Sequence, residues 1–203
     1  MKFKITPIIV SLFFALSLNG QTKEVGECRL HFSIQQQQAS VWVPLGDKIV
    51  FIKGNQCKTA LTTAHLSQTL IFNQQEDTAL ILKEIGETRF LQTVKYPPAN
   101  LPTLIAMKPL SLDSAIIIQG YLCKRIQVQW SDGSVYDIIY TPEIIPTVAS
   151  FETAFKDIPG LVVSYTITAS NGNIIKYELE HIDLSPITLS QFEVNKSRYQ
   201  IID

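Results

Sequence analysis

Two stretches in the last quarter of the chain alternate between apolar and polar side chains, and this period of two constrains the fold most. Between residues 161–168 and residues 174–182 the chain carries Asn171-Gly172, a pair that tolerates positive φ angles and is typical of hairpin turns. The residues that the alternation places on one shared face are Leu161, Val163, Tyr165, Ile167, Ile175, Tyr177, Leu179 and His181. The opposite face of the second stretch is charged, so the pattern predicts an antiparallel hairpin with one buried and one solvent-exposed face.

The same alternation recurs upstream of this hairpin. Residues 126–141 alternate around a Ser-Asp-Gly-Ser turn, and residues 49–53 lead through a Gly-Asn turn into residues 56–61. With the other candidates, this gives nine or ten strands joined by short links. Such a series predicts one continuous, curved antiparallel sheet.

Two stretches with prolines interrupt the alternation. Residues 96–109 contain four prolines and are predicted to form an extended surface loop. Residues 142–159 are bounded by prolines, and residues 151–157 within them are predicted to form a short helix or turn. Its apolar side, expected against the sheet, carries Phe151, Ala154, Phe155 and Ile158. The segment is interpreted either as a lid over a cavity or as a plain connection that covers the core.

The first twenty residues have the layout of a secretory signal peptide. Lys2 and Lys4 precede an apolar core of eleven residues at positions 8–18, and Gly20 supplies a small residue where cleavage is expected. A membrane-spanning helix would need about 20 apolar residues. We therefore predict a signal peptide at residues 1–20, a single β-rich domain at residues 21–203, and export to the periplasm or the medium. A buried N-terminal helix or strand is the alternative.

The chain has three cysteines, Cys28, Cys57 and Cys123. Because three is an odd number, at most one internal disulfide can form, and export would permit it. Cys57 and Cys123 could be joined in this way. Alternatively, all three thiols stay unpaired and mostly buried as small apolar groups.

Residues that could carry catalysis are scattered rather than arranged in motifs. The sequence contains no G-x-S-x-G elbow, Walker loop, G-x-G-x-x-G or H-E-x-x-H. None of its three histidines has a second His or Cys at metal-ligand spacing, so we predict no enzyme activity, no metal and no cofactor. A hydrolase whose site is assembled from distant residues such as His181 and Glu178 is the alternative. The formal net charge of −1 argues against nucleic acid as a partner.

Residues 115–194 carry five short segments that together are typical of one protein family. These are GYLCK at 120–124, YTPEI at 140–144, IPGLV at 158–162, IDLSP at 182–186 and QFEV at 191–194. In them the chain resembles the GLPGLI-type family of secreted, uncharacterised proteins, which is related in fold to periplasmic lipoprotein carriers. The resemblance implies a half-open β-barrel with one or two short helices or loops over a concave face, where the carriers shelter acyl chains. It implies no catalytic residues.

These features together predict an exported, non-enzymatic binding protein that carries a lipid or another apolar ligand on its concave face. The predicted ligand-binding residues are Trp130, Val163, Tyr165, Ile167, Ile175, Tyr177 and Leu179, and the lid candidates are Phe151, Phe155 and Ile158. The alternative is a structural or interaction module of the cell envelope that meets another protein through a sheet edge or an exposed patch. Neither hypothesis includes a membrane-spanning segment in the mature chain.

Overall fold

The computed structural model describes residues 22–110, 115–169 and 171–202, so the predicted signal peptide at residues 1–20 lies outside the described residues. Within these ranges the chain forms fifteen β-strands and four 3-10 helices. The strands are β1 (Lys23–Val25), β2 (Glu27–Gln38), β3 (Val41–Lys53), β4 (Gln56–Thr63), β5 (Ser67–Asn73), β6 (Thr78–Ile85), β7 (Thr88–Lys95), β8 (Leu104–Pro109), β9 (Ile116–Ile118), β10 (Tyr121–Trp130), β11 (Val135–Thr141), β12 (Ile144–Pro146), β13 (Leu161–Thr168), β14 (Ile174–Asp183) and β15 (Gln200–Ile202). The 3-10 helices are Ala149–Phe151, Thr153–Phe155, Leu189–Phe192 and Lys196–Arg198. The predicted mainly β fold is confirmed.

Thirteen of the strands in the described ranges form one sheet, in the order β15-β7-β6-β5-β4-β3-β2-β14-β13-β11-β10-β8, with β9 beside β10. Neighbouring strands are antiparallel except β15 and β7, which run parallel. The sheet consists of two meanders that join where β14 pairs with β2. In the described chain its end strands β15 and β8 do not pair with each other, so the curved sheet forms a half-open barrel. Strands β1 and β12 form a separate parallel pair.

The inner face of the sheet is the apolar face of β2, β3 and their neighbours. On β2 every second residue from Cys28 to Ile34 is buried, and the residues between them are half-buried or exposed. The buried apolar residues of these two strands are Cys28, Leu30, Phe32, Ile34, Val50 and Ile52. Most of them pack in one core cluster with Leu179 of β14 and Phe151 of the first 3-10 helix. The period of two in the sequence is therefore the direct cause of this face.

Residues 149–158, which we call the cover segment, cross this inner face. The segment contains the two single turns of 3-10 helix, Ala149–Phe151 and Thr153–Phe155, with Glu152 between them in an extended conformation. Phe151, Phe155 and Ile158 are buried, so its apolar side does face inward as predicted. The predicted helix is interrupted because the extended Glu152 ends the first turn. In the described part of the chain, no helix has the length and apolarity needed to cross a membrane.

A register shift in β14 turns His181 away from the inner face. Leu179 pairs with Phe32 of β2 and His181 pairs with His31, so Glu180 is an additional residue without a partner on β2. Such a bulge reverses the alternation, because side chains change face at every residue of a strand. The prediction that His181 shares the face of Leu179 is therefore wrong, and His181 is exposed.

A second register shift lies in the pairing of β13 with β11. Val163 has no partner on β11, and residues 161–165 are all buried, so this part of the strand is covered on both faces. Val163 packs in one core cluster with Leu179, whereas Tyr165 packs in a second cluster with Trp130. Tyr177 packs against both clusters, so the two clusters are neighbours in the sheet.

Residues 104–109 form the edge strand β8, so the loop predicted over residues 96–109 is wrong for this part. The strand pairs with β10 and its side chains are mostly exposed. An edge strand tolerates Pro109, since one of its sides has no ladder of hydrogen bonds to complete. Residues 96–103 lie outside strands and helices, as predicted.

Candidate functional site

A cavity of about 300 Å³ lies between the cover segment and the inner face of the sheet. Its lining residues are Lys48, Thr59, Leu61, Gln68, Leu70, Tyr96, Tyr136, Phe151, Glu152, Thr153, Ala154, Phe155, Tyr165, Ile167 and Tyr177. Most of these side chains are apolar or aromatic. Lys48 and Glu152 are the charged members of this lining. The cavity therefore combines an apolar wall with a single pair of opposite charges.

The structure brings part of the predicted site to this cavity. The predicted residues that line it are Phe151, Phe155, Tyr165, Ile167 and Tyr177. The others lie elsewhere: Val163 and Leu179 in the core cluster of β2 and β3, Trp130 and Ile158 in the second cluster, and Ile175 half-buried on β14. Leu179 is on the same face as Tyr177, because their partners Phe32 and Ile34 share one face of β2, so it lies further along that face than the cavity.

Three aromatic rings pack together along the wall of the cavity. Tyr165 and Tyr177 are cross-strand partners on β13 and β14, and their rings stack with centroids 4.6 Å apart. Phe155 of the cover segment packs edge-on against Tyr165 at 4.8 Å. Offset stacking and edge-to-face contacts are the arrangements that aromatic rings prefer. The cover segment is thus attached to the sheet through Phe155 at the cavity itself.

Lys48 projects from the sheet into this aromatic environment. It lies on the same face of β3 as Val50 and Ile52, since these residues follow one another at a period of two. Its side chain is only 5% exposed. A buried lysine is expected to have a partner, because the loss of hydration is costly for an unpaired charge.

The partners of the Lys48 ammonium come from two elements. Its Nζ atom forms an ion pair with Glu152 of the cover segment and donates a hydrogen bond of 3.2 Å to the Tyr165 hydroxyl. That hydroxyl in turn donates to Oε2 of Glu152 at 3.1 Å. The rings around Nζ, all with centroids 5.6 to 5.9 Å away, belong to Phe32, Phe151, Tyr165 and Tyr177. These rings add cation–π attraction to the ion pair.

Burial lowers the pKa of Lys48 to about 7, because the charged ammonium has lost its water. The Glu152 carboxylate beside it acts in the opposite direction, since an opposite charge favours the ammonium form. Burial also raises the pKa values of the Tyr165 and Tyr177 hydroxyls, so both remain neutral. The state of charge at this site therefore depends on the contact between Lys48 and Glu152.

Sequence reasoning missed both members of this ion pair. The strand predicted from residue 49 onward omits Lys48, and Glu152 lies inside a segment whose prediction rests only on its apolar residues. A signal for Lys48 is present, because it falls on the apolar face that Val50 and Ile52 define. For Glu152 no comparable signal exists, since its partner lies 104 residues earlier in the chain.

The three cysteines are all free and buried. Cys57 and Cys123 lie in the same core cluster, but the predicted disulfide between them is not formed in this structure. Burial raises the pKa of the Cys28 and Cys57 thiols to about 12, which keeps them protonated. This matches the alternative in which the thiols act as small apolar groups.

Two further cavities, of about 340 and 430 Å³, lie near the turn between β5 and β6. Asn73 at the end of β5 and Glu76 of the turn line both of them, and neither cavity contains a predicted site residue. Within residues 22–110, 115–169 and 171–202, no group of three or more His, Cys, Asp or Glu side chains could hold a metal ion. The cavity under the cover segment is therefore the strongest candidate for a binding site.

Comparisons with known proteins cover family models, curated proteins and solved structures. No family model matches the sequence. No curated protein matches it either. Among solved structures, the chain is similar to an uncharacterized conserved protein from Thermus thermophilus, with a TM-score of 0.48 and 4% identity over 86% of this chain and 89% of that chain. It is also similar to a DUF1329 family protein from Desulfovibrio piger, with a TM-score of 0.38 and 6% identity over 83% of this chain and 90% of that chain. At these values we infer nothing about function from either structure.

Proposed function

We propose that this chain is an exported, non-enzymatic binding protein that holds a lipid or another apolar ligand in the cavity beneath the cover segment. The observation that carries the proposal is the cavity of about 300 Å³ itself, with its wall of aromatic and apolar side chains. Cavities of this size and lining are typical of small-molecule sites. The resemblance to GLPGLI-type proteins and the leader-like first twenty residues support export to the periplasm or the medium.

The size of the cavity limits the ligand. A methylene group occupies about the volume of a water molecule in the liquid, about 30 Å³, so the cavity accepts a chain on the order of ten carbons. Burial of such a chain is favourable by about 0.8 kcal/mol per methylene, or about 8 kcal/mol in all. Association costs at least about 4 kcal/mol, so apolar contacts alone give weak binding. A single acyl chain of about this length therefore fits the cavity.

The first experiment identifies what the protein carries. The mature chain is purified after export from its expression host, extracted with organic solvent, and the extract is analysed by mass spectrometry. We expect an apolar compound with one alkyl chain, present in a stoichiometric amount and absent from the extract of a control protein purified in the same way. An extract without any such compound contradicts the proposal if the protein also fails to bind octan-1-ol in an NMR titration.

A cavity-filling variant localises the binding. Ala154 lines the cavity from the cover segment, so Ala154→Phe is expected to weaken the binding of octan-1-ol by about tenfold or more. The matched control is Ala60→Phe, since Ala60 lies next to the cavity-lining Thr59 on β4 and therefore on the opposite face of the sheet. Equal affinities of both variants and the unchanged chain would place the ligand outside this cavity.

The second candidate function, an interaction module of the cell envelope, is favoured by one observation. The edge strand β8 exposes Ile105 and Met107, which are 62% and 46% exposed, and Ile117 of the neighbouring β9 is 68% exposed. Exposed apolar residues on an unpaired edge are suited to strand pairing with another protein. If Met107→Lys abolishes the function of the protein in cells while Ala154→Phe has no effect, this second function replaces the first.

A further inference from the structure

The cavity contains a pair of charges that a neutral apolar ligand does not require. An apolar chain needs no ion pair in its site, and a buried charge pair has a desolvation cost that apolar residues would avoid. Nevertheless Lys48 lies in the wall of the cavity, and Glu152 is its counter-ion. The two residues therefore have a role that apolar packing does not explain.

The two members of the pair are buried to different extents. The Lys48 side chain is 5% exposed and is held by β3, whereas the Glu152 side chain is 26% exposed and comes from the cover segment. Neither 3-10 turn beside Glu152 has a side-chain hydrogen bond that caps it. Glu152 is therefore the member of the pair that is in contact with water, whereas Lys48 stays in the cavity and requires an anion there.

The donors at the site fit one carboxylate. An ammonium group has three N–H bonds, and here the Tyr165 hydroxyl lies 3.2 Å from Nζ as a second polar contact. A carboxylate in the place of the Glu152 carboxylate would accept from both groups, as Glu152 does now. A phosphate dianion would need a second cation, and Lys48 is the cation in this lining.

From this geometry we propose that the ligand is an aliphatic monocarboxylate with one chain, whose carboxylate replaces Glu152 as the counter-ion of Lys48. This inference rests on the proposed function and specifies the chemical class of its ligand. The alkyl chain lies along Tyr165, Tyr177 and Phe155, and the acid group reaches the ammonium at the base of the cavity. Displacement of Glu152 removes one attachment of the cover segment, which remains held by Tyr96, whose hydroxyl donates to the Ser150 carbonyl oxygen at 2.9 Å.

The test compares two ligands of equal chain length that differ in the head group. Octanoate and octan-1-ol are titrated into the mature chain at pH 6 and followed by NMR. We expect octanoate to bind at least about tenfold more tightly, since its carboxylate replaces Glu152 on the Lys48 ammonium and lets the partly exposed Glu152 carboxylate regain water, whereas a neutral hydroxyl cannot replace that charge. Equal affinities would overturn the inference and leave the proposed function intact, whereas no binding of either ligand would remove both.

Variants then assign the preference to the ion pair. Lys48→Met is expected to abolish the preference for octanoate over octan-1-ol. Lys53→Met is the matched control on the same strand, because Lys53 pairs with Glu27 and does not line the cavity; it should leave the preference unchanged. If Lys48→Met retains the preference, the inference is wrong.

A third variant tests the displacement and does not depend on the folding of Lys48→Met. Glu152→Gln removes the competing carboxylate, so octanoate should bind about tenfold more tightly than to the unchanged chain. The affinity for octan-1-ol, measured on the same sample, provides the internal reference. An unchanged or lower affinity for octanoate relative to octan-1-ol would show that the ligand does not replace Glu152.

Discussion

The ion pair between Lys48 and Glu152 predicts an asymmetric effect of its two single substitutions on stability. Glu152→Gln leaves a buried ammonium without its counter-charge, and removal of one partner of a buried pair typically costs about 3–5 kcal/mol. We expect about 2 kcal/mol here, because Lys48 can lose its proton and because the Tyr165 hydroxyl still accepts from it. Lys48→Met leaves Glu152, which is 26% exposed and can be hydrated. The methionine packs among four aromatic rings, so this variant should be unchanged or more stable by up to about 4 kcal/mol.

The dependence of stability on pH shows whether the charge of Lys48 causes these differences. The pKa of Lys48 is about 7 in the folded chain, against an ordinary value of 10.5, so between these values the unfolded chain binds more protons. The contribution of Lys48 to stability therefore rises as the pH increases from about 7 towards 10.5, and Lys48→Met should remove this rise. In Glu152→Gln the pKa of Lys48 should fall further, because the opposite charge beside the ammonium is removed. The loss of stability caused by Glu152→Gln should then be largest near pH 6 and shrink by pH 9, where Lys48 is neutral in both proteins.

Urea unfolding of residues 21–203 at pH 6 and pH 9, followed by tryptophan fluorescence, measures these differences. The control is the exposed pair of Arg125 and Asp137, in which both side chains are 42% exposed. Asp137→Asn should cost less than about 1 kcal/mol at either pH. Equal destabilisation by Glu152→Gln and Lys48→Met, or a loss that does not change between the two pH values, would refute the reasoning.

Three further predictions concern the scaffold. Gly160→Ala should destabilise the protein by about 2 kcal/mol or more in urea unfolding, because φ is +149° and an added Cβ would lie 2.1 Å from a backbone oxygen. Leu179→Ala should cost about 3 kcal/mol, since the side chain is 2% exposed, whereas Leu189→Ala at 59% exposure should cost less than about 0.5 kcal/mol; similar costs would contradict the core assignment. The Cys57 thiol, with a pKa of about 12, should not react with an aromatic disulfide reagent at pH 8 until urea unfolds the chain, and rapid reaction in the native state would show that it is accessible.

The strands and their turns could largely be predicted from the sequence. Alternation over residues 161–168 and 174–182, with Asn171-Gly172 between them, predicted the hairpin that β13 and β14 form. Local alternation is sufficient for this purpose because it determines which side chains can be buried together when a strand pairs. The same reasoning failed for His181, since a bulge adds a residue without a signal in the local sequence pattern.

The candidate site could be predicted only in part. Tyr165, Ile167 and Tyr177 were correctly placed together because they share a hairpin, and Phe151 and Phe155 because their spacing has an apolar side. The ion pair at its centre was missed, although Lys48 follows the apolar alternation of β3. A lysine in such a position has no predictable partner until the rest of the chain is folded around it.

By itself, the sequence determined the β character of the chain, the positions of most turns and most of the apolar residues that had to leave water. These properties depend on neighbouring residues, through backbone preferences and the alternation of side chains along a strand. Only the tertiary structure decided that the two meanders join through β2 and β14 and that the cover segment crosses their inner face. The contact of Lys48 with Glu152 and the cavity beside it arise from that crossing, because both depend on distances between segments far apart in the chain.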